Sequence, residues 1–380
     1  MLADSLPLYP LYALLFVHTG LSNGEVSALF ALWSTVGLVA EVPAGALADR
    51  YSRRGALVAA AVLQASGFLL WTALPGPPAF AAGFVLWGLG GALVSGALEA
   101  LLYDGLAALG AEAQFASVLG RVTAAGLVAQ LPAAVAATVL FSVGGYSLAG
   151  WVSVGCCLAA AGLACRLPEP SRQADLARPK AIQGAEPAQA AGKAEDGGRY
   201  LAVLRAGVLE AATRPGVRSA VVAVSVLSGM DALEEYFPLL ARSWGVPTAV
   251  VPLAVLAIPL AGAACAALGG RATGVRPWTL GVLLGVSALA LGSAGLQHTP
   301  IGLAGVALFY GLYRLVLVVA NARLQEQIEG SSRATVTSVA ALGTEIAAFG
   351  LYAAWALGHS VLVAGLVALA AACLPRLLGR

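Results

Sequence analysis

The sequence predicts an all-α membrane protein of twelve transmembrane helices, arranged as two pseudo-repeated six-helix bundles. Of its 380 residues, 59% are hydrophobic and only 11% are charged, where a soluble domain carries roughly a quarter charged residues. A globule must also cover its surface with polar groups, so the surplus apolar area has to face something other than water. The apolar residues fall in runs of about 20, the length that crosses a hydrocarbon core. The basic residues between these runs gather on one side.

Runs bounded by Pro, Gly and charge place spans at 3–20, 25–48, 55–75, 79–103, 116–142 and 146–167, then at 217–241, 246–270, 277–297, 300–324, 333–357 and 359–378. The expected organisation is therefore an N-terminal bundle over 1–167, a polar linker over 168–216 and a C-terminal bundle over 217–380. No basic residue precedes Leu6 to Val17 and no small-residue cleavage site follows, so the first run is read as a span and not as a signal peptide.

Loop charges orient the chain. With both termini inside, Arg50, Arg53, Arg54, Arg121, Arg271, Arg276, Arg323, Arg333, Arg376 and Arg380 are cytoplasmic, as is the basic set from Arg166 to Arg218. Of 21 Lys and Arg residues, only Arg242 falls outside, and Arg314 is the only cation at membrane depth, the rest within spans lying near their cytoplasmic ends. This is the positive-inside asymmetry. The expected location is a bacterial inner membrane, a source suggested by abundant Ala, Arg and Gly beside scarce Lys. Trp71, Trp151, Trp244, Trp278 and Trp355 fall at span ends, where an aromatic belt would sit.

The linker mixes Pro168, Pro170, Pro179 and Pro187 with Gln, Lys, Glu and Gly. After it, Leu201, Leu204 and Val208 share one helical face, which suggests a short interfacial helix over 200–212. The halves echo one another. Glu99-Ala-Leu-Leu-Tyr-Asp104 ends span 4 as Asn321-Ala-Arg-Leu-Gln-Glu326 ends span 10, and Arg121-Val-Thr and Thr335-Val-Thr open the spans that follow. Internal repeats of this kind mark transporter architecture.

Between spans 2 and 3 stands Gly45-Ala-Leu-Ala-Asp49-Arg50-Tyr-Ser-Arg53-Arg54. On these residues, and on the six-plus-six topology, the whole chain resembles the major facilitator superfamily, with Ser52 where that family usually has a second Gly. Physically, Gly45 would allow close helix contact, and Asp49 offers a carboxylate to a helix N-terminus or an Arg. The resemblance implies that Gly45, Asp49, Arg50, Arg53 and Arg54 form a conformational lock holding the halves outward-facing, with Asp104 at the end of span 4 as an acidic partner. The plainer alternative is that these arginines only anchor topology. Other patterns of the family are missing: Phe84-Val-Leu-Trp-Gly-Leu-Gly90 in span 4 has no basic residue, and the second-half loop Gly269-Gly-Arg-Ala-Thr-Gly274 is degenerate.

A charge inside a span usually faces a protein cavity. Asp231, Glu234 and Glu235 in span 7 are spaced to share one face of an α-helix, and crowded carboxylates are suited to binding a proton. Together with Glu345 in span 11 they are the proton-coupling candidates. Arg314 in span 10 is the cation at membrane depth, poised to hold an anionic substrate group, to pair with Glu345, or to switch between Glu345 and the span 7 acids. Glu99, Gln130 and Tyr12 are further cavity candidates, and Glu41 is assigned to the lock or its packing.

The implied function is secondary active transport of a small solute by alternating access, with proton-coupled efflux favoured. Proton-coupled import, or a sensor or scaffold that kept the fold without transport, are the alternatives. No nucleophile–base pair or phosphate-cradling Gly-Lys-Ser/Thr loop points to an enzyme. Cys156, Cys157, Cys165, Cys265 and Cys373 lack metal-knuckle or disulfide spacing and read as packing residues. The expected partners are the solute, protons and the lipid bilayer. No cofactor or nucleic acid is expected, and two complete halves suit a monomer.

Overall fold

The computed structural model describes residues 5–111, 114–168, 214–269, 272, 274–328 and 333–379. The expected interfacial helix over 200–212 and most of the linker lie outside these residues. Among the described residues every regular element is helical. A 3-10 turn, Tyr9–Leu11, leads into α1 (Tyr12–His18), followed by α2 (Asn23–Arg50), α3 (Arg53–Ala73), α4 (Pro77–Ala108) and α5 (Phe115–Ala164). After the linker come α6 (Pro215–Gly229), a 3-10 stretch Met230–Tyr236, α7 (Phe237–Ser243), α8 (Val251–Gly269), α9 (Pro277–Gln297), α10 (Gly302–Gln327) and α11 (Arg333–Leu378).

Local chemistry explains where these helices begin. Ser22 and Glu25 form a capping box at α2: the Ser22 hydroxyl accepts from the Glu25 amide at 3.3 Å, and the Glu25 carboxylate accepts from the Ser22 amide at 2.8 Å. Ser52 caps α3 by accepting from the Gly55 amide at 2.8 Å. Pro77, Pro215 and Pro277 open α4, α6 and α9, where a missing N–H costs nothing.

Eight helical stretches among the described residues are long and apolar enough to cross a membrane. Two of the eight are merged pairs. In α5, Gly144 (φ −140°, ψ 16°) and Gly145 (φ 62°, ψ −155°) leave the helical region, separating spans 5 and 6; in α11, His359 (φ 50°, ψ −147°) separates spans 11 and 12. With α2 and the short helix at Tyr9–His18, the fold is the two-bundle, twelve-helix one.

The two corners share one geometry. A Cβ on Gly144 would lie 2.6 Å from Leu148 Cβ, and one on Gly358 would lie 2.7 Å from Leu362 Cβ. Gly145 and His359 then adopt nearly the same dihedrals, a region that suits only glycine. His359→Gly is therefore expected to stabilise the protein by about 1 kcal/mol, the strain relieved less the entropy that glycine adds to the unfolded chain. A thermal-unfolding midpoint that does not rise in the variant would contradict this.

The chain divides into two compact units, Met1–Pro187 with Thr248–Leu253, and Ala188–Pro247 with Ala254–Arg380. In the first, α3 packs on α4 and α5, and α2 packs on α4. Its core is aromatic: Phe16 lies 4.2 Å from Phe80, and Trp71 lies 4.9 Å from Phe84, ring centre to ring centre. In the second, α11 packs on α6 and α9, and α10 packs on the same two. The Ser225 hydroxyl donates to the Ala340 carbonyl at 2.9 Å, joining α6 to α11.

The aromatic belt needs correction. Trp151 and Trp278 are exposed, as a belt requires, but Trp71, Trp244 and Trp355 are buried. Trp71 donates its indole N–H to the Phe80 carbonyl at 3.2 Å, and Trp355 stacks on Tyr236 at 4.2 Å. A residue at a helix end can face lipid or a neighbouring helix, and spacing along the chain does not distinguish them.

Candidate functional site

The charges at membrane depth meet in the second unit. Arg314 on α10 donates from Nη1 to Asp231 Oδ1 at 2.8 Å, and the Tyr310 hydroxyl donates to the same oxygen at 3.3 Å. Tyr310 and Arg314 are four residues apart, so one helical face presents both. The guanidinium also lies 5.8 Å from the centre of the Tyr310 ring, a cation–π distance. The buried Tyr313 phenol neighbours the Asp231 carboxylate without a hydrogen bond of ordinary geometry.

Glycine on α8 makes room for this cluster. A Cβ on Gly262 would lie 2.5 Å from the Tyr310 ring and 3.2 Å from the Arg314 stem. One on Gly311 would lie 2.9 Å from Cys265 Sγ, so α8 and α10 approach closely along Ala261–Cys265. That segment is packing, as its small residues imply.

The backbone beneath Asp231 is a 3-10 stretch, not the α-helix that the sequence implies. With three residues per turn, Asp231 and Glu234 eclipse, while Glu235 points about 120° away. The expected shared face therefore holds two acids and not three. Glu234 is exposed, and Asp231 and Glu235 are half-buried. Of the partners the sequence offers Arg314, the structure pairs it with a span 7 acid, Asp231; Glu345 sits half-buried on α11. Asp231 and Arg314 keep 39% and 33% of their side-chain surface accessible, so the pair is partly solvated and able to separate.

In the first unit, Arg53 forms an ion pair with Asp104 and donates to the Ala100 carbonyl at 3.2 Å, tying the start of α3 to the end of α4. Arg54 donates to the Leu167 carbonyl at 3.3 Å. Arg50 lies 5.7 Å from the ring centre of Tyr51. The side chain of Asp49 lies outside the described ones. Gly45 does not serve close packing among the described residues: none of their atoms outside its own helix backbone lies within 4 Å of where its Cβ would be. The departure at Ser52 has a physical reason, since this residue caps α3 with a hydroxyl that glycine lacks. In the second unit the corresponding tie runs the other way, with Arg323 on α10 donating to the Val275 carbonyl before α9.

Arg53 and Asp104 remain 27% and 40% exposed, and pairs this wet contribute about 0–1 kcal/mol. Asp104→Asn should thus lower the unfolding midpoint by at most a few degrees. A larger fall, absent in the Arg53→Gln variant, would separate Asp104 from this pairing.

Other candidates distribute unevenly. Glu99 and Gln130 are exposed on their helices. Tyr12 is 1% exposed and packed among Phe16, Trp71 and Phe84. Its polar hydroxyl suggests a binding residue, but the ring is core. Two residues the sequence reading passed over join the charges: Tyr310, legible only as one turn before Arg314, and Ser95, whose hydroxyl donates to Glu41 Oε1 at 2.7 Å.

A family model of the Major Facilitator Superfamily matches residues 1–352. The chain belongs to the Major Facilitator Superfamily. Among solved structures, this facilitator is similar to the nucleoside transporter NupG, with a TM-score of 0.73 at 11% identity over 100% of this chain and 97% of that one. It is also similar to a D-xylose-proton symporter, at TM-score 0.69, 15% identity and coverage of 98% and 94%. A third is the POT family transporter PepTSo, at TM-score 0.68, 12% identity and coverage of 99% and 96%. These identities carry the fold alone. No curated protein matches the sequence. The facilitator is a multi-pass membrane protein of a transporter family, not an enzyme.

Proposed function

We propose that this facilitator moves a small solute by alternating access, coupled to protons through Asp231 and Arg314. The observation that carries this reading is the pair at 2.8 Å, with Tyr310 on the same carboxylate oxygen. Such a pair needs to be neutral as a whole at membrane depth. Protonating Asp231 removes the charge that holds Arg314, and an anionic group of the solute can then take the guanidinium; losing the proton restores the pair. Glu234, eclipsing Asp231, is the next acceptor for the proton, and Glu345 a further one. Arg53 and Asp104, with Gly45, Asp49, Arg50 and Arg54, act as the conformational lock, in a bacterial inner membrane with both termini cytoplasmic.

Direction has two readings. The loop signature favours efflux, and the likeness to a D-xylose-proton symporter favours import. Proteoliposomes containing an internal pH dye test both. A solute-triggered pH change, lost in Asp231→Asn, supports coupling at this pair, and its sign separates antiport from symport. Transport without any pH change would overturn the coupling, and absence of transport across a broad solute panel would favour a sensor or scaffold.

A further inference from the structure

One edge of the second unit carries charge of a single sign. The sequence has no Asp or Glu over 236–325 or over 346–380, while Arg276, Arg323 and Arg376 stand at the ends of spans there. Arg323 donates to the Val275 carbonyl, which brings the end of α10 against the residue before Arg276. α9 packs on α11 along small residues. A Cβ on Gly281 would lie 2.8 Å from Pro375 Cγ, and one on Gly295 would lie 2.4 Å from Ser360 Oγ. These contacts fix an antiparallel register, so Arg276, just before α9, and Arg376, just after Pro375, share one end. Both are exposed, and neither side chain has a hydrogen bond or ion pair among the described residues. The matching edge of the first unit answers its arginines itself, Arg53 with Asp104 and Arg54 with the Leu167 carbonyl at 3.3 Å.

Beside this seam runs an open apolar groove. Trp278, Val282 and Leu289 fall about 60–100° around α9 from Gly281. All three are exposed, Trp278 by 67% and Leu289 by 74%. On α11, Gly365, Ala368 and Ala372 fall about 60–120° around from Ala371, and they too are exposed. Leu369, beyond them, is exposed as the far wall. The opposite flanks, Leu284 and Leu291 on α9 and Val367 and Leu374 on α11, are buried. The two exposed flanks therefore lie on the same outer side, a floor of small residues between raised edges. The Trp278 indole N–H has no partner among the described residues and is free to meet a ligand.

We propose that this corner binds an anionic phospholipid, with its headgroup phosphate on Arg276 and Arg376 and one acyl chain along Gly365, Ala368 and Ala372. Guanidinium groups match phosphate oxygens in charge and in geometry, and basic pockets between spans suit anionic headgroups. An indole at the headgroup level marks the boundary between the polar and acyl parts. A zwitterionic lipid brings its own cation to an edge where no acid of these two spans answers it. A soluble phosphate could use the arginines but leaves the groove empty. The binding stands apart from the solute and from proton coupling.

The test uses the full chain in phosphatidylcholine vesicles, with spin-labelled phosphatidylglycerol or spin-labelled phosphatidylcholine as the probe and the immobilised fraction as the readout. One saturable population of phosphatidylglycerol, held at least tenfold more tightly than phosphatidylcholine, is the expected result. Arg276→Gln combined with Arg376→Gln should weaken it about tenfold. Arg166→Gln, which removes an exposed arginine of the first unit, should leave it unchanged. Ala368→Leu, which fills the floor without touching a charge, should weaken it about fivefold. An equal loss in Arg166→Gln would assign the preference to general surface charge and overturn the site. So would full displacement by inorganic phosphate at constant ionic strength, or an unchanged affinity in a folded Ala368→Leu protein.

Discussion

Arg314→Gln is expected to abolish solute-driven proton movement while leaving most of the protein folded. The guanidinium is the positive partner of Asp231 at 2.8 Å and also rests on the Tyr310 ring. Removing it strands a carboxylate at membrane depth. Breaking a fully buried pair costs about 3–5 kcal/mol, but both groups are more than a third or about a third accessible, so a stability loss of about 1–2 kcal/mol is expected. Flux should fall by ~100-fold or more, equivalent to about 2.8 kcal/mol. The double variant Asp231→Asn with Arg314→Gln discriminates the two effects. It should recover the unfolding midpoint without recovering transport. Full transport in Arg314→Gln would exclude the pair from the mechanism.

Gly229→Leu is expected to prevent the second unit from folding. Gly229 closes α6 immediately before the 3-10 stretch that carries Asp231. A Cβ there would lie 2.5 Å from Ala347 Cβ and 3.0 Å from the Ala347 carbonyl carbon and the Ala348 amide nitrogen. Side chains can rotate away, but α11 backbone cannot without moving the whole helix. Overpacking of this kind costs about 1–3 kcal/mol for a small intrusion and more for a large one. Gly229→Ala should retain fold with a midpoint lowered by several degrees. Adding Ala347→Gly removes the nearest atom but not the backbone ones, so it should restore part of the loss. A Gly229→Leu protein with wild-type stability would show that α6 and α11 can separate freely.

Much of this architecture is legible in the sequence, because the membrane imposes a length and a charge asymmetry on every span. The corners at Gly144–Gly145 and His359 fall where apolar runs 5–6 and 11–12 were divided. Arg314 and Asp231 are legible as candidates because charge at such depth is costly. Their pairing with each other, in preference to Glu345, is not, since it depends on how α10 is rotated against the 3-10 stretch. The winding of residues 230–236 is equally hidden: three-residue and four-residue spacings coexist in Asp231, Glu234 and Glu235, and an α-helix accommodates both. Tyr12 and Trp71 mislead for a related reason. Their polar atoms suggest surface or belt, while their rings fill the aromatic core of the first unit.

The two arginine ties at the starts of α3 and α9 differ in what answers the cation. Arg53 meets a full negative charge on Asp104, whereas Arg323 meets the dipole of a neutral carbonyl at Val275. Dissolved ions shield charge from charge far more than they disturb a local hydrogen bond. The bundles are thus built alike in backbone yet unlike in electrical character. Raising ionic strength weakens the attraction between Arg53 and Asp104 and leaves the carbonyl bonds of Arg53 and Arg323 in place, so salt acts on this molecule mainly from one side.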